Sequence, residues 1–428
     1  MRRARRPTPP APDAAPLDLT IEEIGAHGDG VANLEGDAVF VPYTLPGDRV
    51  IARRISPSHA LPQSWSERKV LPHASRCPHF GSCGGCMLQH LDDDAYAAWK
   101  RRQLEIALSR RGFADIEIAP LARAHPQERR RADFGAARVG NNVMIGFHAY
   151  RSGALVDMLD CAVLDPVLVT LLPTLRELMR GLLADRQSAD LLVTRTDSGV
   201  DLLIGRARPL GRAQREAIAA FAAAHNLARI AWRQASETPE ILVQRRVPHI
   251  RFDDTAVDLP PGAFLQATAS GESAIVTAVR AGVAGAKRIA DLFAGCGTLT
   301  FPLATQARVH SVEGAKDLVA ALGAAANRSR NTRISVETRD LNRRPLLADE
   351  LHAFDAVVFD PPRDGAAVQA AEIARSQVEK VVGVSCNPAT FARDARILAD
   401  AGFKLLRVTP IDQFLWSPHL EAVGVFQR

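Results

Sequence analysis

Cys386 follows the apolar run Val381 to Val384 and precedes Asn387-Pro-Ala-Thr390. A run that short, closed by turn residues, reads as a buried strand, and a thiol released from a strand end into a loop is rigid and partly open. Those are the surroundings of a nucleophilic cysteine, although a lone cysteine after an apolar strand is more often core packing. Three further segments favour the nucleophile. Asp291-Leu-Phe-Ala-Gly-Cys-Gly-Thr298 follows another short apolar strand, and its glycines let the backbone approach a ligand at the carboxyl edge of a sheet. Glu313 lies about twenty residues on, at the end of the next apolar strand, where an acid hydrogen-bonds the ribose hydroxyls of a nucleoside cofactor. Asp340 would then face the adenine end. Asp360-Pro-Pro-Arg363 ends the strand Ala356 to Phe359, so a carboxylate projects at the edge that Cys386 also reaches.

Thr300 stands at the third glycine position of a dinucleotide fingerprint, so S-adenosylmethionine fits this loop better than NAD. A thiolate beside a sulfonium methyl suggests pyrimidine C5 chemistry. C5 is a poor nucleophile until a thiolate adds at C6, which makes it enolate-like and able to take the methyl group. The C5 proton must then leave to a base. Glu421, in Ser417-Pro-His-Leu-Glu, is the candidate, with a surface carboxylate on the last strand as the alternative; His419 is a second choice. Asp360 can accept a hydrogen bond from a planar base.

The elements that must position these groups alternate strand and helix after Leu259: Ile289-Ala-Asp-Leu-Phe, Val309-His-Ser-Val-Glu, Ala356-Val-Val-Phe-Asp, Val381-Val-Gly-Val-Ser and Leu405-Leu-Arg-Val. That pattern predicts an α/β, doubly wound, Rossmann-like parallel sheet. Short strands broken by Gly and Pro run from Leu17 to about Leu71 and predict an OB-like barrel, a fold that often binds oligonucleotides. A helix is predicted from Asp92 to Arg111, ended by Gly112. Strand-like and helical pieces mix from Ala122 to Arg251, which suggests α+β. Cys77, Cys83 and Cys86 flank the turn Gly84-Gly85, and Cys161 is a possible fourth ligand; four thiolates suit zinc or an iron-sulfur cluster, which spacing alone does not separate.

The chain has 428 residues and a net charge of +5, enough for two or three domains with a slight lean towards a polyanionic partner. Basic tracts at Arg2 to Arg6 and Arg129 to Arg131 are candidate nucleic-acid contacts or solvated surface. No run reaches the ~18 apolar residues of a membrane span, and the Arg-, Pro- and Ala-rich residues 1–16 lack a signal-peptide core, so they read as a disordered arm. Six cysteines without an export signal argue for metal binding or catalysis in the cytoplasm.

Taken together, Cys77 with Cys83-Gly-Gly-Cys86 and Gln89-His90, Phe264-Leu-Gln266, Asp291-Leu-Phe-x-Gly-x-Gly, Asp360-Pro-Pro-Arg and Ser385-Cys-Asn-Pro-Ala-Thr resemble the RNA uracil-5-methyltransferase family. The likeness runs from about Leu17 to Phe426. Gly28-Asp-Gly-Val-Ala, Phe40-Val-Pro and Pro46-Gly-Asp are similar to the TRAM domain, an RNA-binding barrel. The resemblance implies Cys386 as nucleophile and Glu421 as base. It implies Gln266, Phe293, Thr298, Glu313, Asp340 and Asp360 in the pocket for S-adenosyl-L-methionine and the target base. It also implies a [4Fe-4S] cluster on Cys77, Cys83, Cys86 and Cys161. The role expected of that cluster, as a separate hypothesis, is structural, tying the cysteine loop to a strand carrying Cys161. The implied domains are the arm 1–16, a TRAM barrel 17–72, a central α+β iron-sulfur domain of 73–92 and 121–258, and a class I methyltransferase domain of 93–120 and 259–428, in which the 93–120 helix packs.

Barrel and cluster belong to the ribosomal branch of the family, so 23S ribosomal RNA is the expected substrate of a cytoplasmic monomer. Transfer RNA is the alternative. A non-catalytic RNA-binding iron-sulfur protein and an iron-sulfur oxidoreductase are the readings from other classes. Thr268, Ala294, Asp364 and Trp416 depart from the family pattern, and the last leaves the hydrogen-bond partner of Glu421 open.

Overall fold

The computed structural model describes residues 15–68, 74–206, 209–234 and 237–428. Most of the arm, residues 1–14 with its four arginines, lies outside them, as do residues 69–73, where the barrel was expected to end. Two compact units form. One holds the described residues up to Lys100 with Ala149–Ser152 and Trp416–Pro418; the other holds the described residues of Arg101–His148, Gly153–Leu415 and His419–Arg428.

The first unit contains a closed barrel of Leu17–Ile24, Gly30–Leu34, Asp37–Val41, His59–Glu67 and Arg49–Ser56, in that order around the wall. Alternation of Leu19, Ile21, Ala32, Val39, Val41, Val50 and Ala52 fills its interior, and closure removes the exposed edges that short strands would otherwise present. The fifth strand, His59–Glu67, is hidden in sequence because Pro62 and its polar residues break the apolar alternation.

Among its described residues the second unit holds two large sheets and a two-stranded one. A seven-stranded sheet runs Leu155–Asp157, Asn142–His148, Arg131–Val139, Ser188–Thr196, Gly199–Arg206, Arg229–Gln234, Glu240–Gln244. Helices Leu172–Leu182 and Arg212–Ala224 contribute Leu175, Met179, Ile218 and Phe221 to its core. Within that core a buried Arg229–Asp201 pair, 2.7 Å apart, is doubly bonded and so satisfied. Cys161 lies in a loop after Leu155–Asp157 rather than on a strand, because Asp160 turns the chain and accepts the Cys161 N–H at 2.7 Å.

The larger sheet runs Ile334–Thr338, Arg308–Glu313, Arg288–Leu292, Ala356–Phe359, Lys380–Ser385, Glu421–Gln427, Lys404–Asp412, Glu117–Ile118. Its first five strands are parallel. Only Glu421–Gln427 runs against its neighbours on both sides. The all-apolar Ala356–Phe359 and the apolar stretch Val381 to Val384 of Lys380–Ser385 sit centrally, buried on both faces. The expected helix spans Asp93–Ser109, and its Leu104 and Leu108 join the core of Ala290, Leu292 and Phe359. Two segments assigned by sequence to the central domain pack elsewhere. Ala122–Arg123 pairs with Ile411–Asp412, and the hairpin His249–Phe252/Thr255–Asp258 buries Ile250, Phe252 and Val257 against Phe301 and Leu322. Among the described residues no helix is long and apolar enough to cross a membrane.

Candidate functional site

The strand register builds the site. Ser385 pairs with Ala422 in an antiparallel ladder, so one step further sets Cys386 opposite Glu421; on the other side Glu421 pairs with Ile411. Asp360 follows Phe359 on the neighbouring parallel strand, which pairs with Gly383. Three chemistry-bearing side chains thus leave adjacent strands at one sheet edge.

Glu421 is 4% exposed, which removes the surface-carboxylate alternative. Its Oε1 accepts from Gln413 Nε2 at 3.0 Å. Gln413 Nε2 also donates to Gln266 Oε1 at 2.7 Å, and Gln266 Nε2 donates to Asp360 Oδ2 at 3.1 Å. Burial, followed by the charge of Asp360, pushes the Glu421 carboxyl well above the usual carboxylate range, and burial does the same to Asp360. Burial and the charges of Glu421 and Asp360 push the half-buried Cys386 thiol up to about 11, against a small opposing effect of Arg363. Only a small fraction of the thiol is therefore ionised at neutral pH, and added positive charge in the crevice would favour the thiolate. His419, the weaker candidate base, makes an edge contact with Phe414 at 5.8 Å.

The loop after Arg288–Leu292 is held from beneath. Asp291 is fully buried and burial pushes its carboxyl up to about 7; Thr300 Oγ1 donates to it at 2.5 Å and lies 2.9 Å from Ser311 Oγ. Thr300 at the third glycine position thus ties the loop to two strands. Phe293 adopts φ +60, strained for a bulky side chain, and Gly297 adopts φ +104 with no room for a Cβ, which would meet Phe301 at 2.5 Å. Glu313 accepts the Gly295 N–H at 3.0 Å and the Ala315 N–H at 2.8 Å, one on each oxygen, leaving lone pairs for a diol. Thr298 is half-buried in the same loop. Asp340 is exposed, accepting the Asn342 N–H at 3.1 Å.

The departures find local roles. Thr268 is the buried N-cap of helix Ala269–Gly282, accepting the Gly271 N–H at 3.0 Å, and Ala294 N–H donates to the Val312 carbonyl at 3.1 Å. The Asp364 carbonyl accepts from Arg393 at 2.9 Å. Trp416, at φ +57, donates its N–H to the Tyr96 hydroxyl at 2.8 Å and accepts the Met87 and Leu88 N–H groups. The basic cluster Arg129 to Arg131 is not a uniform surface patch. Arg130 is buried, donating to the Gln266 carbonyl at 3.0 Å and to Glu272 at 2.6 Å, because the guanidinium fork satisfies both acceptors.

None of the six cysteines is in a disulfide. Gly85 N–H points at Cys83 Sγ, 3.4 Å away, and burial followed by the nearby Cys77 charge raises the Cys83 thiol. Among the described residues, no three His, Cys, Asp or Glu side chains come close enough together to hold a metal ion.

Residues 255–428 match the tRNA (Uracil-5-)-methyltransferase family model. An uncharacterized RNA methyltransferase of Brucella melitensis is 43% identical over 96% of this chain and 97% of its own length. The 23S rRNA (uracil(1939)-C(5))-methyltransferase RlmD of Chromohalobacter salexigens is 33% identical over 100% of this chain and 93% of its own. Among solved structures, the Pyrococcus abyssi tRNA (uracil-54, C5)-methyltransferase in complex with S-adenosyl-L-homocysteine shares the fold, with a TM-score of 0.74 at 22% identity over 96% of this chain and 99% of its own.

Proposed function

Because the chain belongs to the RNA (uracil-5-)-methyltransferase family, we propose that it methylates C5 of a uridine in 23S ribosomal RNA, using S-adenosyl-L-methionine and a covalent bond from Cys386 to C6. The observation that carries this reading is the register that sets Cys386 beside Glu421, with Asp360 one strand away. Cys386 thiolate attacks C6, and the C5–C6 π electrons move towards O4. C5 then takes the sulfonium methyl and S-adenosylhomocysteine leaves. Glu421 carboxylate removes the C5 proton, the double bond re-forms, and the S–C6 bond breaks to release 5-methyluridine and the thiolate.

Asp360 accepts the uracil N3–H, and the positive sulfonium lowers the cost of the thiolate. Glu313 holds the ribose hydroxyls, Asp340 serves the adenine end, and Gln266, Phe293 and Thr298 line the pocket. A paired uridine hides C6, so the target is unpaired or flipped, at a cost of about a few kcal/mol. The barrel, Arg129 and Arg131 offset that cost through phosphate and stacking contacts. The enzyme acts as a cytoplasmic monomer.

The ribosomal substrate is favoured over transfer RNA because the full-length relative at 33% identity carries the 23S name. Labelled S-adenosylmethionine, offered with unmodified 23S fragments and with transfer RNA, tests this by nucleoside mass spectrometry. 5-Methyluridine in one ribosomal fragment is expected; product on transfer RNA alone would overturn the substrate, and RNA binding without transfer would overturn catalysis.

Cys77, Cys83, Cys86 and Cys161 would hold the [4Fe-4S] cluster. The chemistry of four unbridged thiols, with an N–H already directed at Cys83 Sγ, suits cluster sulfur. The cluster would supply a cross-link and no step of methyl transfer. Anaerobically purified protein is expected to contain about four irons and four sulfides per chain, and Cys83→Ala to lose them; wild-type protein without iron would contradict the assignment.

A further inference from the structure

We propose that Gln413 is a positioning residue for the reaction, joining Glu421 to the Gln266–Asp360 pair so that the proton-accepting carboxylate and the carboxylate facing the base form one hydrogen-bonded unit. The proposal rests on the reading of Glu421 as the base and goes beyond it by assigning what orients that base.

Gln413 is 2% exposed, and its three hydrogen bonds fix which way its amide points. The Ala267 N–H can only donate, and it donates to Gln413 Oε1 at 2.7 Å. The Gln413 NH2 group must therefore face away from it, where it meets Glu421 Oε1 at 3.0 Å and Gln266 Oε1 at 2.7 Å. That in turn orients Gln266, whose own NH2 group faces Asp360 Oδ2 at 3.1 Å. Flipping either amide would set donor against donor and acceptor against acceptor in a buried site. The Gln266–Ala267 backbone that starts this sequence is itself fixed. Arg130 donates to the Gln266 carbonyl at 3.0 Å while paired with Glu272, and the next residue, Thr268, caps a helix.

Gln413 thus occupies Oε1 of Glu421 and leaves Oε2 to meet the C5 proton. Its donated hydrogen bond also favours the ionised carboxylate, against burial and the charge of Asp360. The charged and titratable groups around this carboxylate include Asp360, Cys386 and, beyond the thiol, Arg363, while the buried Asp412 adjoins Gln413 in the chain and His419 lies two residues before Glu421. Gln413 itself does not ionise, so its effect on a pH profile passes through Glu421.

Gln413→Met keeps length and removes both donors; Gln413→Glu keeps a polar group and adds negative charge. Both are expected to lower kcat by about tenfold or more, the worth of a hydrogen bond to a charged group. The KM for RNA should change less than kcat. The acidic limb of the kcat–pH profile should move to higher pH, because an unsupported Glu421 ionises later. The S-adenosylmethionine affinity and melting temperature identify any variant that has merely lost its fold. Wild-type turnover with the limb unmoved in whichever variant is folded would overturn the role of Gln413 alone, whereas wild-type protein that makes no 5-methyluridine would overturn the underlying reading with it.

Discussion

Cys386→Ala is expected to lower 5-methyluridine formation by more than about a thousandfold, about 4 kcal/mol of lost transition-state stabilisation. The loss should fall on the chemical step, with binding of RNA and S-adenosylmethionine within a few-fold of wild type. The physical reason is that nothing else at the sheet edge can add to C6. Asp360 and Glu421 are poor nucleophiles towards a neutral pyrimidine, and Cys296, the thiol of the loop after Arg288–Leu292, is buried with its pKa pushed up to about 12. Single-turnover kinetics with labelled cofactor measure this; residual activity within tenfold of wild type would remove Cys386 from the mechanism.

Glu421→Gln is the second large effect, and it differs in kind. The variant retains Cys386, so thiol addition and methyl transfer proceed, while C5 proton removal slows by about a hundred- to ten-thousandfold, the range for loss of a general base. A denaturant-resistant protein–RNA species carrying the labelled methyl group should accumulate as free product falls. In the wild type, rate should rise with pH through a range above that of ordinary carboxylates, since burial and Asp360 raise the Glu421 pKa and only the ionised form accepts the proton. The sign for stability is opposite: a carboxyl with a raised folded pKa stabilises the fold fully below its unfolded value, and that contribution is lost as pH rises through the raised one. Equal loss of free product and covalent species in Glu421→Gln would instead place Glu421 in an earlier step.

The strands carrying Asp291, Glu313, Asp360 and Cys386 were legible because parallel strands buried on both faces read as short apolar runs. Insertion of Glu421–Gln427 between Lys380–Ser385 and Lys404–Asp412 was not legible, since strand pairing is a long-range property that local periodicity does not encode. That insertion brings Cys386 and Glu421 together. Gln413 was missed for the same reason: a lone glutamine after Ile411-Asp412 resembles loop surface until the neighbouring strand supplies a carboxylate for it. The tract Arg129 to Arg131 reads in sequence as nucleic-acid contact or solvated surface, and only Gln266 and Glu272, more than a hundred residues later in the chain, explain the burial of Arg130. The Glu421 partner left open in the sequence is Gln413.

The most direct measurement is tryptic mapping of the species that Glu421→Gln forms with its RNA. A nucleotide bearing the transferred methyl group, attached to the peptide containing Cys386, is the predicted result, because it captures the S–C6 bond after methyl transfer and before proton loss. Methyl transfer to uridine C5 with no protein–RNA bond, or with the bond on any other residue, would contradict the account.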